Sequence, residues 1–221
     1  GTGIGSSDDI DTTVANITLT NTTSGNIYIH ETDTLEIKSI TQSGTGVIDV
    51  LVDTGDITQS GDISSTSGNI SVEATSGSIT MTSGKETTST SGNVTYEASS
   101  NVNVSILNTE GNVTITSGNA ISDIQNNEDS NITANTLTLS AVNGIGASGD
   151  ADIDTEVTTI SLTNTISGDI FVQEDDALTI SLIDSKGISG DVVVTTENGS
   201  INTTATSANT TSGFSIVTYT G

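Results

Sequence analysis

The stretch GDITQSGDISSTSGNISVEATSGSITMT, residues 55–82, decides the fold. Within it, glycine is followed four times by Asp, Asn or Ser and then by Ile: Gly55-Asp56-Ile57, Gly61-Asp62-Ile63, Gly68-Asn69-Ile70 and Gly77-Ser78-Ile79. Apolar and polar residues then alternate, as in Asn69-Ile-Ser-Val-Glu73 and Ser78-Ile-Thr-Met-Thr82. Alternation with period two marks a strand with one buried face. Gly and Asn tolerate positive φ, so each opening reads as a sharp corner.

The same punctuation extends in both directions. It stands at Gly25-Asn26-Ile27, Gly92-Asn93-Val94, Gly111-Asn112-Val113, Gly168-Asp169-Ile170, Gly190-Asp191-Val192 and Gly199-Ser200-Ile201. No stretch carries a sustained helical period. About three strands fill 20 to 24 residues, which is a solenoid period. A longer repeat overlies this one. Residues 10–40 and 153–183 match at 17 of 31 positions with an offset of 143, and Gly3-Ile4-Gly5 and Gly144-Ile145-Gly146 open the two copies. Beyond them the match is loose, with Gly55 against Gly199 and Gly68 against Gly213. The chain therefore reads as one β-solenoid segment over 1–221, with a repeat at 3–143 and a partial second copy at 144–221, expected to be part of a longer array.

Two all-β architectures fit short alternating strands. Tandem β-sandwich repeats use hairpins and commonly carry Pro and large core aromatics. A right-handed parallel β-helix stacks equivalent strands about 4.8 Å apart around a thin aliphatic core. The chain has no Pro, no Trp, two Phe and three Tyr, and is rich in the β-branched residues that suit strands. The expectation is therefore the β-helix, with roughly ten rungs of about 20–24 residues and a length near 48 Å.

Composition also removes function classes. Lys plus Arg total 3 against 28 Asp plus Glu, for a net charge of −25. Nucleic-acid partners need a basic face for phosphates, which three lysines cannot make. Zero Cys excludes disulfide scaffolds and thiol chemistry. No apolar run approaches the about 18 residues of a membrane span, so membrane insertion of this segment is not expected. The β-branched content also argues against disorder, despite the charge.

The Ser-Gly-Asn/Asp-Ile openings and the larger unit at 153–183 resemble the repeats of filamentous-haemagglutinin-like bacterial exoproteins. The resemblance covers essentially the whole chain. It implies a parallel β-helix projecting from a bacterial cell, and an extracellular or cell-surface location. The secretion domain of that family carries Asn-Pro motifs, and a chain without Pro does not contain it. The expected function is a non-catalytic structural and adhesive rod segment, whose partner is a host or neighbouring cell surface. The alternative is a self-assembling subunit of an extracellular filament or sheath, whose partner is itself through end-to-end or lateral contacts. A calcium-dependent adhesion module and a polysaccharide-acting β-helix enzyme rank below.

No cofactor is expected, except calcium. Asp150, Asp152, Asp154 and Glu156 alternate along one stretch, and an extended strand would point them to one face. Calcium takes six to eight oxygens, which such a face supplies in part. Asp9 and Asp11 stand at the matching positions of the first copy. The EF-hand pattern fails, because Thr155 replaces its Gly and Ser161 its last Glu. Glu174-Asp175-Asp176 is a second cluster, matched in part by Glu31 and Asp33. No catalytic residue is expected: His30 is the one histidine, and its counterpart is Gln173. Thr-x-Thr pairs such as Thr114/Thr116 and Thr136/Thr138 lack the regular spacing that ice-binding ranks need. Asn-x-Ser/Thr sequons, including Asn69, Asn93, Asn131 and Asn209, are potential glycan acceptors.

Overall fold

A computed structural model describes residues 3–5, 9–186 and 190–204, together with the backbone of 214–218. Gly213, Asn209 and Tyr219 lie outside the described residues, as does the Phe214 side chain. The described chain is all strand and corner, with no helix, wound as a right-handed parallel β-solenoid of about nine turns. Every strand pairing among the described residues is parallel. Tandem sandwiches, whose neighbouring strands run antiparallel, are thereby overturned.

Most turns have three faces. On the first, Ile4, Ile27, Ile48, Ile70, Val94, Val113, Leu137, Ile160 and Ile180 stack in one column. The step varies from 19 residues, Val94 to Val113, to 24, Ile70 to Val94. The second column holds Leu35, Ile57, Ile79, Val102, Ile121, Ile145, Ile170 and Val192. The third begins Ile40, Ile63 and ends in polar residues, Thr155, Glu174 and Thr196. The strands line up because most inward positions are branched aliphatics that fit the pleat of the turn below. The core is this aliphatic pile, at or near zero exposure.

Tyr96 is the one aromatic inside the described core. It is tolerated because its hydroxyl donates to Gln59 Oε1 at 2.6 Å and lies 2.7 Å from Thr87 Oγ1, while Gln59 Nε2 donates to Thr87 Oγ1 at 3.0 Å. Three side chains from three turns satisfy one another, as buried polar groups must.

The corners explain the Gly-Asn/Asp-Ile motif. The Asx side chain does not fold back on its own turn but reaches the next one. Asn69 Oδ1 accepts the Asn93 N–H at 2.9 Å, Asn93 Oδ1 the Asn112 N–H at 3.0 Å, and Asp169 Oδ1 the Asp191 N–H at 2.8 Å. The glycine has a second role besides φ. Gly55 does sit at φ 103°, but Gly68 is required by contact, since a Cβ there would stand 1.8 Å from the Gly46 carbonyl oxygen. Corner glycines of successive turns therefore touch backbone to backbone.

The long repeat is offset from the turns. Asn26–Glu31 lies in the first column, six steps before Ile160. Its counterpart Ile170–Glu174 lies one face further round, under Ile145 and Ile153. Both copies keep one bulge, at Lys38 between the Ile17 and Thr18 partners and at Ser181 between the Ile160 and Ser161 partners.

Candidate functional site

The Glu of each copy is a buried clamp. Glu31 and Glu174 both have 0% exposure. Glu31 accepts from Thr12 Oγ1 at 2.6 Å, Val14 N at 3.0 Å and Thr32 N at 3.0 Å. Glu174 accepts from Thr155 Oγ1 at 2.7 Å and from Val157 N at 3.0 and 3.1 Å. Each carboxylate ties its strand to the preceding turn, so the clamp is structural in placement. Burial pushes the Glu174 carboxyl up to about 7, and the hydrogen bonds offset only part of that push.

The sequence-identified acids do not form one row. Asp150 is exposed in a tight turn ahead of the strand Ile153–Asn164. Asp152 is half-buried, Asp154 is buried, and Glu156, in the same strand, is exposed. The alternation breaks because the strand starts only at Ile153 and because a long corner, residues 124–131, folds over Asp154. Asn131 N donates to the Asp154 carbonyl at 2.9 Å, and the Asp154 N–H donates to Asn131 Oδ1 at 3.0 Å. Asp123 anchors this corner by accepting from Gln125 N and Asn131 Nδ2, both at 2.7 Å. Glu128 is held by Gln173 Nε2 at 2.7 Å, and Asp175 accepts from Ser130 Oγ at 3.2 Å.

The result is a cluster of Asp123, Glu128, Asp152, Asp154 and Asp175 gathered from three turns. Asp154 is 1% exposed, and no donor of the described protein reaches either of its carboxylate oxygens. Burial first, and then the charges of Asp152, Glu128, Asp123 and Asp175, push its carboxyl up to about 8. Asp152 is pushed up to about 6, by burial first and then by Glu128. The lysines are elsewhere: Lys38 pairs with Glu36 at 2.9 Å, Lys85 with Asp62 at 3.8 Å and Lys186 with Asp184 at 3.2 Å. Asp123, Glu128 and Asp175 were missed as partners of Asp154. The readable signal was the polar insertion Gln125-Asn-Asn-Glu-Asp129, which interrupts the strand pattern.

The first copy holds the equivalent acids differently. His30 Nδ1 lies 3.1 Å from Asp11 Oδ1 and 3.9 Å from Asp9 Oδ2, and His30 Nε2 lies 2.9 Å from Asp53 Oδ1. Asp53, followed by Asp9 and Asp11, raises the His30 pKa against a burial effect that lowers it. When protonated, this imidazole supplies a counter-charge to the three acids. Among the described residues, Asp9, Asp11 and His30 are the one set whose ligand atoms all lie within 4.8 Å of one another. The two acids are exposed, with the Asp11 side chain at 84%, while the His30 side chain is at 28%.

Elsewhere the surface is a repeating polar lattice. An open groove of about 710 Å³ crosses the turns at Glu110, Glu156 and Asp176, and its lining holds no aromatic and no basic side chain. Thr95, Thr114 and Thr138 stack, but Ser71 and Ser161 bound the rank, and Glu97 interrupts the neighbouring one. The sequon Asn131 is fully buried, which removes it as a glycan acceptor in the folded chain. No described helix is long and apolar enough to cross a membrane. No family model, curated protein or solved structure matches this chain.

Proposed function

We propose that this chain is a non-catalytic rod segment of a large bacterial exoprotein, extending from the cell surface and carrying adhesion towards a host or neighbouring cell. The observation that carries the reading is the unbroken first column, in which nine aliphatic residues from Ile4 to Ile180 stack turn upon turn. At about 4.8 Å per turn, nine turns give a stiff body about 43 Å long. Continuous inter-turn hydrogen bonding resists bending and extension along its whole length.

The surface supports the same reading. A net charge of −25 keeps such rods soluble and mutually repelling. Three lysines and no arginine leave few trypsin sites, which suits exposure outside a cell. The groove at Glu156 lacks the aromatic platforms and basic groups that a polysaccharide-acting site would use.

The test is bead attachment and electron microscopy of the purified chain. Beads coated with the chain should adhere to cells better than beads coated with a size-matched acidic protein, and the chain should remain single rods at high concentration. Concentration-dependent end-to-end filaments would replace the rod reading by that of a self-assembling filament subunit. No adhesion and no filaments would leave a spacer role and remove the adhesive one.

A further inference from the structure

We infer that Asp154, Asp152 and Asp123, closed over by Glu128 and Asp175, form a calcium site between three successive turns. Three observations converge on it.

The first is the Asp154 carboxylate, 1% exposed and without a hydrogen-bond donor at either oxygen. Burying an ionised carboxylate without a partner is among the costliest arrangements in a protein, so it calls for a proton or a cation. The second is the company it keeps. The charges of four further carboxylates act on it, the corner that carries Glu128 and is anchored by Asp123 is tied to it through Asn131, and all three lysines are paired elsewhere. One proton relieves one carboxylate, whereas a dication relieves the set.

The third is an internal comparison. Asp9 and Asp11 are the repeat counterparts of Asp152 and Asp154, and Asp11 stands opposite His30 just as Asp154 stands opposite Gln173. The first copy answers its acids with an imidazole 3.1 Å from Asp11. The second copy replaces that imidazole with a neutral amide, adds acids and buries Asp154. Gln173 Nε2 turns instead to Glu128 and Glu197. An external ion would supply the positive charge that the amide, unlike the imidazole, cannot carry.

The donors are all oxygens, which selects a hard cation. They come from a strand start and a polar corner, giving an irregular set, and calcium accepts this more readily than magnesium, which demands a near-ideal octahedron. No three of these acids bring their ligand atoms within 4.8 Å of one another in the ion-free chain, so a bound ion would draw the corner 124–131 onto the turns that follow.

The test is calorimetric titration of the chelator-treated chain with calcium chloride near neutral pH, alongside thermal melting followed by circular dichroism. One calcium per chain should bind, with a Kd between about 10 μM and 1 mM, and melting should shift upward with calcium. Asp154→Asn should abolish binding. Glu128→Gln, on the exposed corner, should weaken it about tenfold without unfolding risk. Asp11→Asn, in the first copy, should leave it unchanged. Absence of both heat and melting shift would overturn the proposal, as would binding that survives Asp154→Asn and Glu128→Gln.

Discussion

Glu31 and Glu174 occupy the same place in two copies of one repeat and share three hydrogen-bond donors, but Glu31 has a fourth in Thr32 N, and the two carboxyls shift in opposite directions. Burial raises both. For Glu31 the bonds from Thr12, Val14, Asp33 and Thr32 outweigh it, and the carboxyl falls below its ordinary range. Glu174 has only Thr155, Val157 and Asp176 as donors and Asp175 beside it, so burial wins and the carboxyl rises to about 7. Removing the charge should therefore matter more at Glu31. At pH 8, Glu31→Gln should cost about 2 kcal/mol, as expected for loss of an ionised acceptor with four donors, and Glu174→Gln clearly less. Thermal melting of the two variants compares them directly, and a larger loss for Glu174→Gln would contradict the assignment.

Tyr96 makes a second, separable prediction. Its hydroxyl is the donor to Gln59 Oε1 at 2.6 Å inside an otherwise aliphatic core. Tyr96→Phe keeps the ring and strands the amide, so it should destabilise by about 1–2 kcal/mol. Converting the partner as well, in Gln59→Leu/Tyr96→Phe, should recover part of that loss in a double-mutant cycle. Strict additivity of the two changes would mean that the pair is not coupled.

The corner glycines separate steric from conformational need. Gly68→Ala places a Cβ 1.8 Å from the Gly46 carbonyl oxygen, and the turns must separate to admit it. A loss of about 3 kcal/mol is expected. Gly84 sits at φ 75°, and a Cβ there would meet no atom within 4 Å, so Gly84→Ala should cost only the left-handed strain of about 1 kcal/mol. Equal melting temperatures for the two variants would refute the close-approach explanation.

Stability should rise towards mildly acidic pH in the absence of divalent cations. The carboxyls of Asp152, Asp154 and Glu174 are raised in the folded chain to about 6, 8 and 7, by burial first. The folded state therefore holds these protons more tightly than the unfolded one. Their contribution is full below the unfolded carboxyl range and is lost as pH rises through 6 to 8. His30, also raised, adds in the same direction, while Glu31 opposes it only at lower pH. Melting at pH 5 should exceed melting at pH 8 by at least about 5 °C. A flat or inverted profile would mean that these groups stay solvated.

The fold was legible because its signal is local. Ile57, Ile63, Ile70 and Ile79 each follow a corner, and alternation after each fixes which side chains point inward. Period and aliphatic core follow from those positions. The cross-turn geometry was less readable. The Asn69–Asn93–Asn112 ladder and the Gly46–Gly68 approach depend on registry between residues about 22 apart, and the turn length varies. The acidic row at 150–156 was misplaced for a related reason. Period-two reasoning holds within a strand, but Asp150 and Asp152 precede its first residue, Ile153. Asp123 and Glu128 reach Asp154 across turns through a corner whose path no local pattern specifies. The shift of the second repeat copy by one face was hidden likewise, because 143 residues is not a whole number of turns.

Nuclear magnetic resonance contacts between stacked backbones test the account most directly. The parallel solenoid predicts close inter-strand contacts between Ile48 and Ile70, Ile70 and Val94, and Val94 and Val113, in unbroken series. Antiparallel contacts between sequence-adjacent strands, such as Ile70–Ala74 with Ile79–Met81, would replace the solenoid with hairpins. The rod, its cation site and its turn-to-turn clamps would then fall together.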